Sequence, residues 1–142
     1  MKLLDANLLL YAYNQAAPQH VRARQWLEAV FVETEAIGLP WVSVLTFLRI
    51  STDLRILPRP YTSTEAIAIV QVWLAQPRTQ LVGPTELHWD VLQQVVKQGQ
   101  ARGALVSDAH LAALALERGA TLCSTDRDFR RFPGLKLLNP LD

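Results

Sequence analysis

The sequence lacks most of the features that usually announce a function. It holds one cysteine, Cys123, which excludes an internal disulfide and fits a reducing compartment. No apolar run approaches the roughly 18 residues that a membrane helix needs. Asp5 falls where a secretory leader would carry its apolar region, so no leader is expected and the expected location is the cytoplasm. The net charge is +1, so no excess of either sign points to a partner. The cations are mostly arginine, which favours bidentate contacts with phosphate or carboxylate over mere solubility. Also missing are G-x-x-x-x-G-K-[ST], G-x-G-x-x-G, H-E-x-x-H, C-x-x-C and G-x-S-x-G. Their absence removes the signatures of P-loops, dinucleotide sites, zinc peptidases, thiol redox sites and nucleophile-elbow hydrolases.

What is present reads as a globular chain. It has 142 residues, half of them hydrophobic and 19% charged, enough for one domain with a sizeable core. Short apolar runs at Lys2–Leu4, Glu35–Leu39, Gln80–Val82, Thr121–Cys123 and Lys136–Leu138 read as strands. Helical spacing predicts helices over Leu8–Tyr13, His20–Val32, Val42–Ser51 and Ala66–Leu74. Further helices are expected on the stripe His88, Val91, Leu92, Val95 and Val96, and over Leu105–Arg118. Thr62 and Glu65 match a capping box, Thr85 is the expected cap of the fifth helix, and Gly119 is a C-terminal stop. The helix over Ala66–Leu74 is apolar on more than one side, which predicts either deep burial or one face given to a partner. Strands alternating with helices predict an α/β fold: three α/β/α layers around a central, mainly parallel sheet.

Acidic residues at the predicted strand ends mark a candidate site. Carboxylates are almost never fully buried unless paired or bound to a metal. Asp5 follows the first strand, and Ser124, Thr125, Asp126 and Asp128 follow the fourth. Ligands of open parallel sheets bind outside the carboxyl ends of strands. Asp108 lines up with Leu111, Ala112 and Ala115 at i+3, i+4 and i+7, so it lies on the inward face near the start of its helix. A cluster of carboxylates is costly because like charges repel, and a hard cation removes that cost. Mg²⁺ suits such a set of oxygen ligands. Each acid also has a structural reading: Asp5 and Asp126 as helix caps, Asp108 as a cap, Asp128 as the partner of an arginine. Arg127, Arg130 and Arg131 flank the acids and could contact phosphate or simply carry surface charge paired with Asp128. His20 and His88 read as surface or helix-face residues. Ser107, Asp108 and His110 lie along one helix start and do not form a catalytic triad. Cys123 reads as a buried strand residue.

Leu3-Leu4-Asp5-Ala6-Asn7, Phe47-Leu48-Arg49, Asp108-Ala109-His110-Leu111-Ala112-Ala113-Leu114-Ala115, Ser124-Thr125-Asp126-Arg127-Asp128-Phe129-Arg130-Arg131-Phe132 and Asn139-Pro140-Leu141 occur in this order. In that order and spacing the whole chain resembles the PIN-domain ribonucleases, and among them the VapC toxins of toxin–antitoxin pairs. The resemblance implies one PIN-like domain over residues 1–142 that hydrolyses RNA with Mg²⁺ or Mn²⁺. Asp5, Asp108 and Asp126 would take the catalytic and metal-binding roles, with Asp128 as a further ligand, directly or through water. Asn7, Thr46, Ser124 and Thr125 would orient ligands or water. It also implies a homodimer, an antitoxin that is usually DNA-binding, and no membrane. The family often carries Glu where this chain has Thr46, and a hydroxyl is a weaker, neutral ligand. The ribonuclease toxin is the leading reading; Thr46 is the best support for its rival, a non-catalytic PIN-like module that binds RNA or protein without cutting. A phosphatase with Asp5 as nucleophile is disfavoured, because Asn7 stands where such enzymes place a second Asp.

Overall fold

The computed structural model describes all 142 residues. Five short strands form one parallel sheet: β1 (Lys2–Leu4), β2 (Ile37–Pro40), β3 (Thr79–Val82), β4 (Thr121–Cys123) and β5 (Lys136–Leu138), in the order β3-β2-β1-β4-β5. Pairs of helices make the first three crossovers. They are α1 (Ala6–Tyr13) with α2 (His20–Val32), α3 (Trp41–Ser51) with α4 (Ser63–Leu74), and α5 (His88–Gln98) with α6 (Leu105–Arg118). A 3-10 turn, Arg127–Arg131, joins β4 to β5.

Strand residues alternate between the two faces, as a period of two requires. Leu4 and Cys123 enter the core under α1 to α4, whereas their neighbours Leu3 and Leu122 enter the core under α5 and α6. The last two residues of each of these central strands are therefore apolar, as a sheet covered on both faces demands. Gly38 of β2 sits where β1 and β3 press closest: a Cβ there would lie 2.8 Å from Val82 Cγ2, so a side chain has no room.

Phe47, Trp73 and Tyr13 lock α3, α4 and α1 together, with ring centroids 4.7 Å apart for Phe47–Trp73 and 5.5 Å for Tyr13–Trp73. Trp73 Nε1 donates to Tyr13 Oη at 3.3 Å, so the indole keeps a polar partner in the core. The capping box of α4 forms as expected: Glu65 N–H donates to Thr62 Oγ1 at 3.1 Å, and Thr62 N–H to Glu65 Oε1 at 2.9 Å. On α4 the deep-burial reading fails for one face. Ala66, Val70 and Trp73 are buried, but Ile67 and Val72 are 50% and 57% exposed.

Two expectations are corrected. β2 begins at Ile37 rather than Glu35: the ladder starts where Ile37 pairs with Lys2 and Thr79, and the Glu35 side chain instead pairs with the N-terminal amine at 2.9 Å and with Lys2 at 3.1 Å. Thr85 does not cap α5. Its Oγ1 accepts from Leu87 N–H at 3.2 Å in a turn before the helix, and the capping position is Leu87.

Candidate functional site

The sheet order reverses direction between β1 and β4, the place where open parallel sheets leave a crevice at their carboxyl edge. Both strands end there in polar residues. Asp5 leaves β1 and caps α1, its Oδ1 accepting from Ala6 N–H at 2.7 Å. Its Oδ2 accepts from Ser124 Oγ at 2.7 Å, across the gap from β4. Ser124 is buried, and its Oγ also accepts from Asp126 N–H at 3.0 Å. Asn7 Nδ2 donates to Thr125 Oγ1 at 2.9 Å and to Ser124 Oγ at 3.3 Å. Asp126 caps the 3-10 turn by accepting from Asp128 N–H at 2.9 Å. The capping readings of Asp5 and Asp126 thus coexist with a site reading, since each cap uses one oxygen and leaves lone pairs over.

Asp108 arrives from the other layer. Its helix face is fixed by Ala109, Leu111, Ala112 and Ala115, all buried. Its carboxylate joins those of Asp126 and Asp128: one oxygen from each lies within 4.8 Å of the others. Asp5 is not one of this close trio, because Ser124 and Ala6 hold its oxygens. Its field still reaches Asp108. Burial, and then the charges of Asp126, Asp5 and Asp128, push the Asp108 carboxyl up to about 6, with Arg131 opposing. Asp5 is also raised, by burial first, against the lowering hydrogen bonds from Ser124 and Ala6. Asp128 has no arginine partner within ion-pair distance.

These residues fit a hard divalent cation. The donors are all oxygen, three carboxylates converge, and Asn7, bonded to Ser124 and Thr125 next to Asp126, keeps its Oδ1 buried without a hydrogen-bond partner. Such a cluster is unfavourable without positive charge and favourable with it. Thr46 is half-buried on α3, and its hydroxyl is paired with no other side chain. All three arginines are exposed, but only Arg131 is tied down: its Nη1 donates to Gly99 O at 3.0 Å and so braces the loop before α6.

One polar group escaped sequence reasoning. Glu117, its side chain fully buried, accepts from Thr85 N–H at 2.9 Å and pairs with His88 Nδ1 at 2.7 Å. His88 Nε2 lies 2.9 Å from His110 Nδ1. With His88 Nδ1–H donating to the carboxylate, its Nε2 accepts from His110 Nδ1–H, the assignment that satisfies the chain. Burial, then the neighbouring His88, lowers the His110 pKa. His88 is therefore a link between α5 and α6 rather than a surface or helix-face residue, while His20 Nδ1 pairs with Tyr11 O at 2.9 Å. Cys123 is buried, and burial pushes its thiol up to about 12, as a core residue should be.

The profile of the PIN domain family matches residues 2–135, and the chain belongs to that family. Within it, the chain is 41% identical over 140 residues to Ribonuclease VapC37 of Mycobacterium tuberculosis, covering 99% of this chain and 97% of that protein. It is 38% identical over 141 residues to Ribonuclease VapC33 of the same species, covering 99% of both. Among solved structures, VapBC2 from Rickettsia felis, bound to a DNA fragment from their promoter, has a chain that superposes with a TM-score of 0.71. At 17% identity, with 97% of both chains covered, it supports the three-layer fold alone.

Proposed function

We propose that this chain is a metal-dependent endoribonuclease, the toxin half of a toxin–antitoxin pair, with residues 1–142 acting as one PIN-like domain. The observation that carries the proposal is the meeting of Asp108, Asp126 and Asp128 within 4.8 Å at the reversal of the sheet. Membership of the PIN family, and the ribonuclease names of the relatives, give that cluster its chemistry.

In this reading Asp5, Asp108 and Asp126 bind Mg²⁺ or Mn²⁺, with Asp128 as a further ligand. A cation held there would supply Lewis acidity toward a phosphoryl oxygen and lower the pKa of a bound water. Ser124 holds Asp5 in the orientation its cap dictates, and Asn7 and Thr125 fix the wall beside it. Arg127 and Arg130, exposed at the rim, hold the RNA backbone. Arg131 acts through the loop it braces. The place of action is the cytoplasm; no helix is long and apolar enough to cross a membrane.

The partners follow from the same family. A cognate antitoxin, itself DNA-binding, and a second copy of the chain would cover apolar side chains left open on α3 and α4: Trp41 and Leu45 are 51% and 59% exposed, and Ile67 and Val72 of α4 are 50% and 57% exposed. A second reading rests on Thr46. Without the acid that often stands there, the chain could bind RNA or protein without cutting it.

Incubation of structured RNA with the purified chain, with Mg²⁺, with Mn²⁺ and with EDTA, separates the two. Cleavage in either metal, lost in EDTA and in Asp108→Asn, supports the ribonuclease. Binding without cleavage in both metals supports the module.

A further inference from the structure

A cavity of about 450 Å³ opens beside Asp126, between the 3-10 turn and β5. We propose that it is a nucleotide subsite, seating the nucleotide next to the cleaved phosphate and reading its base through Asn139. The inference rests on the ribonuclease reading and adds to it the determinant of sequence preference.

Three features define the occupant. The first is size, since a cavity in the range of small-ligand pockets accommodates one nucleotide unit. The second is charge. Arg127 and Arg130 line the cavity, and neither takes part in an ion pair or hydrogen bond, unlike Arg131. Asp126 and Asp142 line it too, so a bare anion such as free phosphate meets both signs and is poorly served. A ligand that suits the whole cavity carries its negative charge at one end and a neutral hydrogen-bonding ring at the other. The third is the floor. Leu135 and Leu137 are half-buried there and offer the edge of a base a small apolar contact, while Phe129 and Phe132 are buried in the core.

Asn139 supplies the directional contact. Its Oδ1 accepts from Leu141 N–H at 3.0 Å, which fixes the side chain in the wall. Asn139 lines the cavity and its amide Nδ2 makes no hydrogen bond within the chain, which leaves that donor free for a ligand. A donor in a fixed place discriminates among bases by where each presents a ring nitrogen or carbonyl acceptor. Placement next to Asp126 puts this base one nucleotide from the reacting phosphate.

The test measures binding apart from cutting. Fluorescence anisotropy in EDTA would compare oligo(A), oligo(C), oligo(G) and oligo(U) hexamers on the wild type, Asn139→Asp, Leu137→Trp and Arg130→Ala. Asn139→Asp keeps the acceptor for Leu141 N–H but removes the donor, and Leu137→Trp fills the cavity without changing charge. Wild type should prefer one base. Asn139→Asp should flatten that preference, weakening the preferred hexamer by about tenfold more than the others. Leu137→Trp should flatten it as well, whereas Arg130→Ala should weaken all four alike and lower the salt slope by about one. A wild type with no base preference, or an Asn139→Asp variant with the wild-type order, overturns the subsite. If Leu137→Trp fails to fold by circular dichroism, Asn139→Asp still decides. Cleavage in Mg²⁺ by wild type together with an unaltered order in Asn139→Asp refutes the subsite and leaves the ribonuclease standing. Base-selective binding that depends on Asn139, with no cleavage in any metal, does the reverse.

Discussion

Ser124 Oγ donates to Asp5 Oδ2 at 2.7 Å and accepts from Asp126 N–H at 3.0 Å, so one buried hydroxyl ties the exits of β1 and β4. Ser124→Ala removes the donor that lowers the Asp5 pKa and leaves the Asp126 N–H without its acceptor. The expected cost is about 1–3 kcal/mol, the range for buried polar groups that lose a partner. Urea denaturation without metal would measure it. The variant should also bind Mn²⁺ more weakly, because Asp5 then loses its fixed orientation. A stability change under about 0.5 kcal/mol, the size of an ordinary surface substitution, would show that water replaces the hydroxyl at no loss.

Asp108 gives the pH dependence. Its folded pKa of about 6 lies above the ordinary carboxylate value. Without metal the protonated form is thus favoured by folding. Its contribution is fully present below about pH 4 and is lost as pH rises through about 6. A divalent cation competes with that proton, so Mn²⁺ affinity should fall as pH drops below about 6. Asp108→Asn should abolish cleavage, flatten this part of the metal-free stability profile and raise metal-free stability at pH 7. Thermal melts from pH 4 to pH 8, with and without Mn²⁺, would check the sign. A mutant that keeps wild-type cleavage would take Asp108 out of the site.

The sheet and the outline of the site were legible because both follow from local pattern. Asp5 and Asp126 stand at strand exits, and the alanine stripe of α6 set the face of Asp108 before any tertiary contact was known. Glu117 was not legible. Its partners Thr85 and His88 lie 32 and 29 residues away, and His88 in isolation reads as one more helix-face histidine. Nothing local separates Arg131, which reaches Gly99 across 32 residues, from Arg127 and Arg130. The face of Asp5's carboxylate was likewise set by Ser124, 119 residues on. Periodicity reports which face is buried; it carries no information about which distant polar group shares it.

Glu117→Ala should therefore be costly although it lies far along α6 from Asp108. It leaves Thr85 N–H and His88 Nδ1–H without acceptors in a buried place, at an expected cost of about 2–4 kcal/mol. Glu117→Gln keeps an acceptor of the same shape and should cost less than half as much. Urea melts would measure both, and Mn²⁺ titration should show wild-type affinity in each folded variant. An Ala variant as stable as wild type would mean that the α5–α6 contact is held by its apolar residues alone.

Thr46 sits on α3, the helix that leaves the carboxyl end of β2 on the same edge as Asp5. If the family plan holds, a glutamate there would face the acids. The added charge has two opposed effects. It strengthens attraction for Mg²⁺, and it increases repulsion among carboxylates when no metal is bound. With metal present the attraction should win, because the cation is the largest local charge. Without metal the repulsion should be felt, as Asp108 is already raised by its acidic neighbours. Thr46→Glu should therefore bind Mg²⁺ or Mn²⁺ more tightly, cleave RNA at lower metal concentration, and melt slightly earlier than wild type in EDTA. Calorimetric titration of both proteins decides the main point. Equal or weaker affinity in Thr46→Glu would mean that position 46 does not face the cation, and that the site works with the acids of β1, α6 and β4 alone.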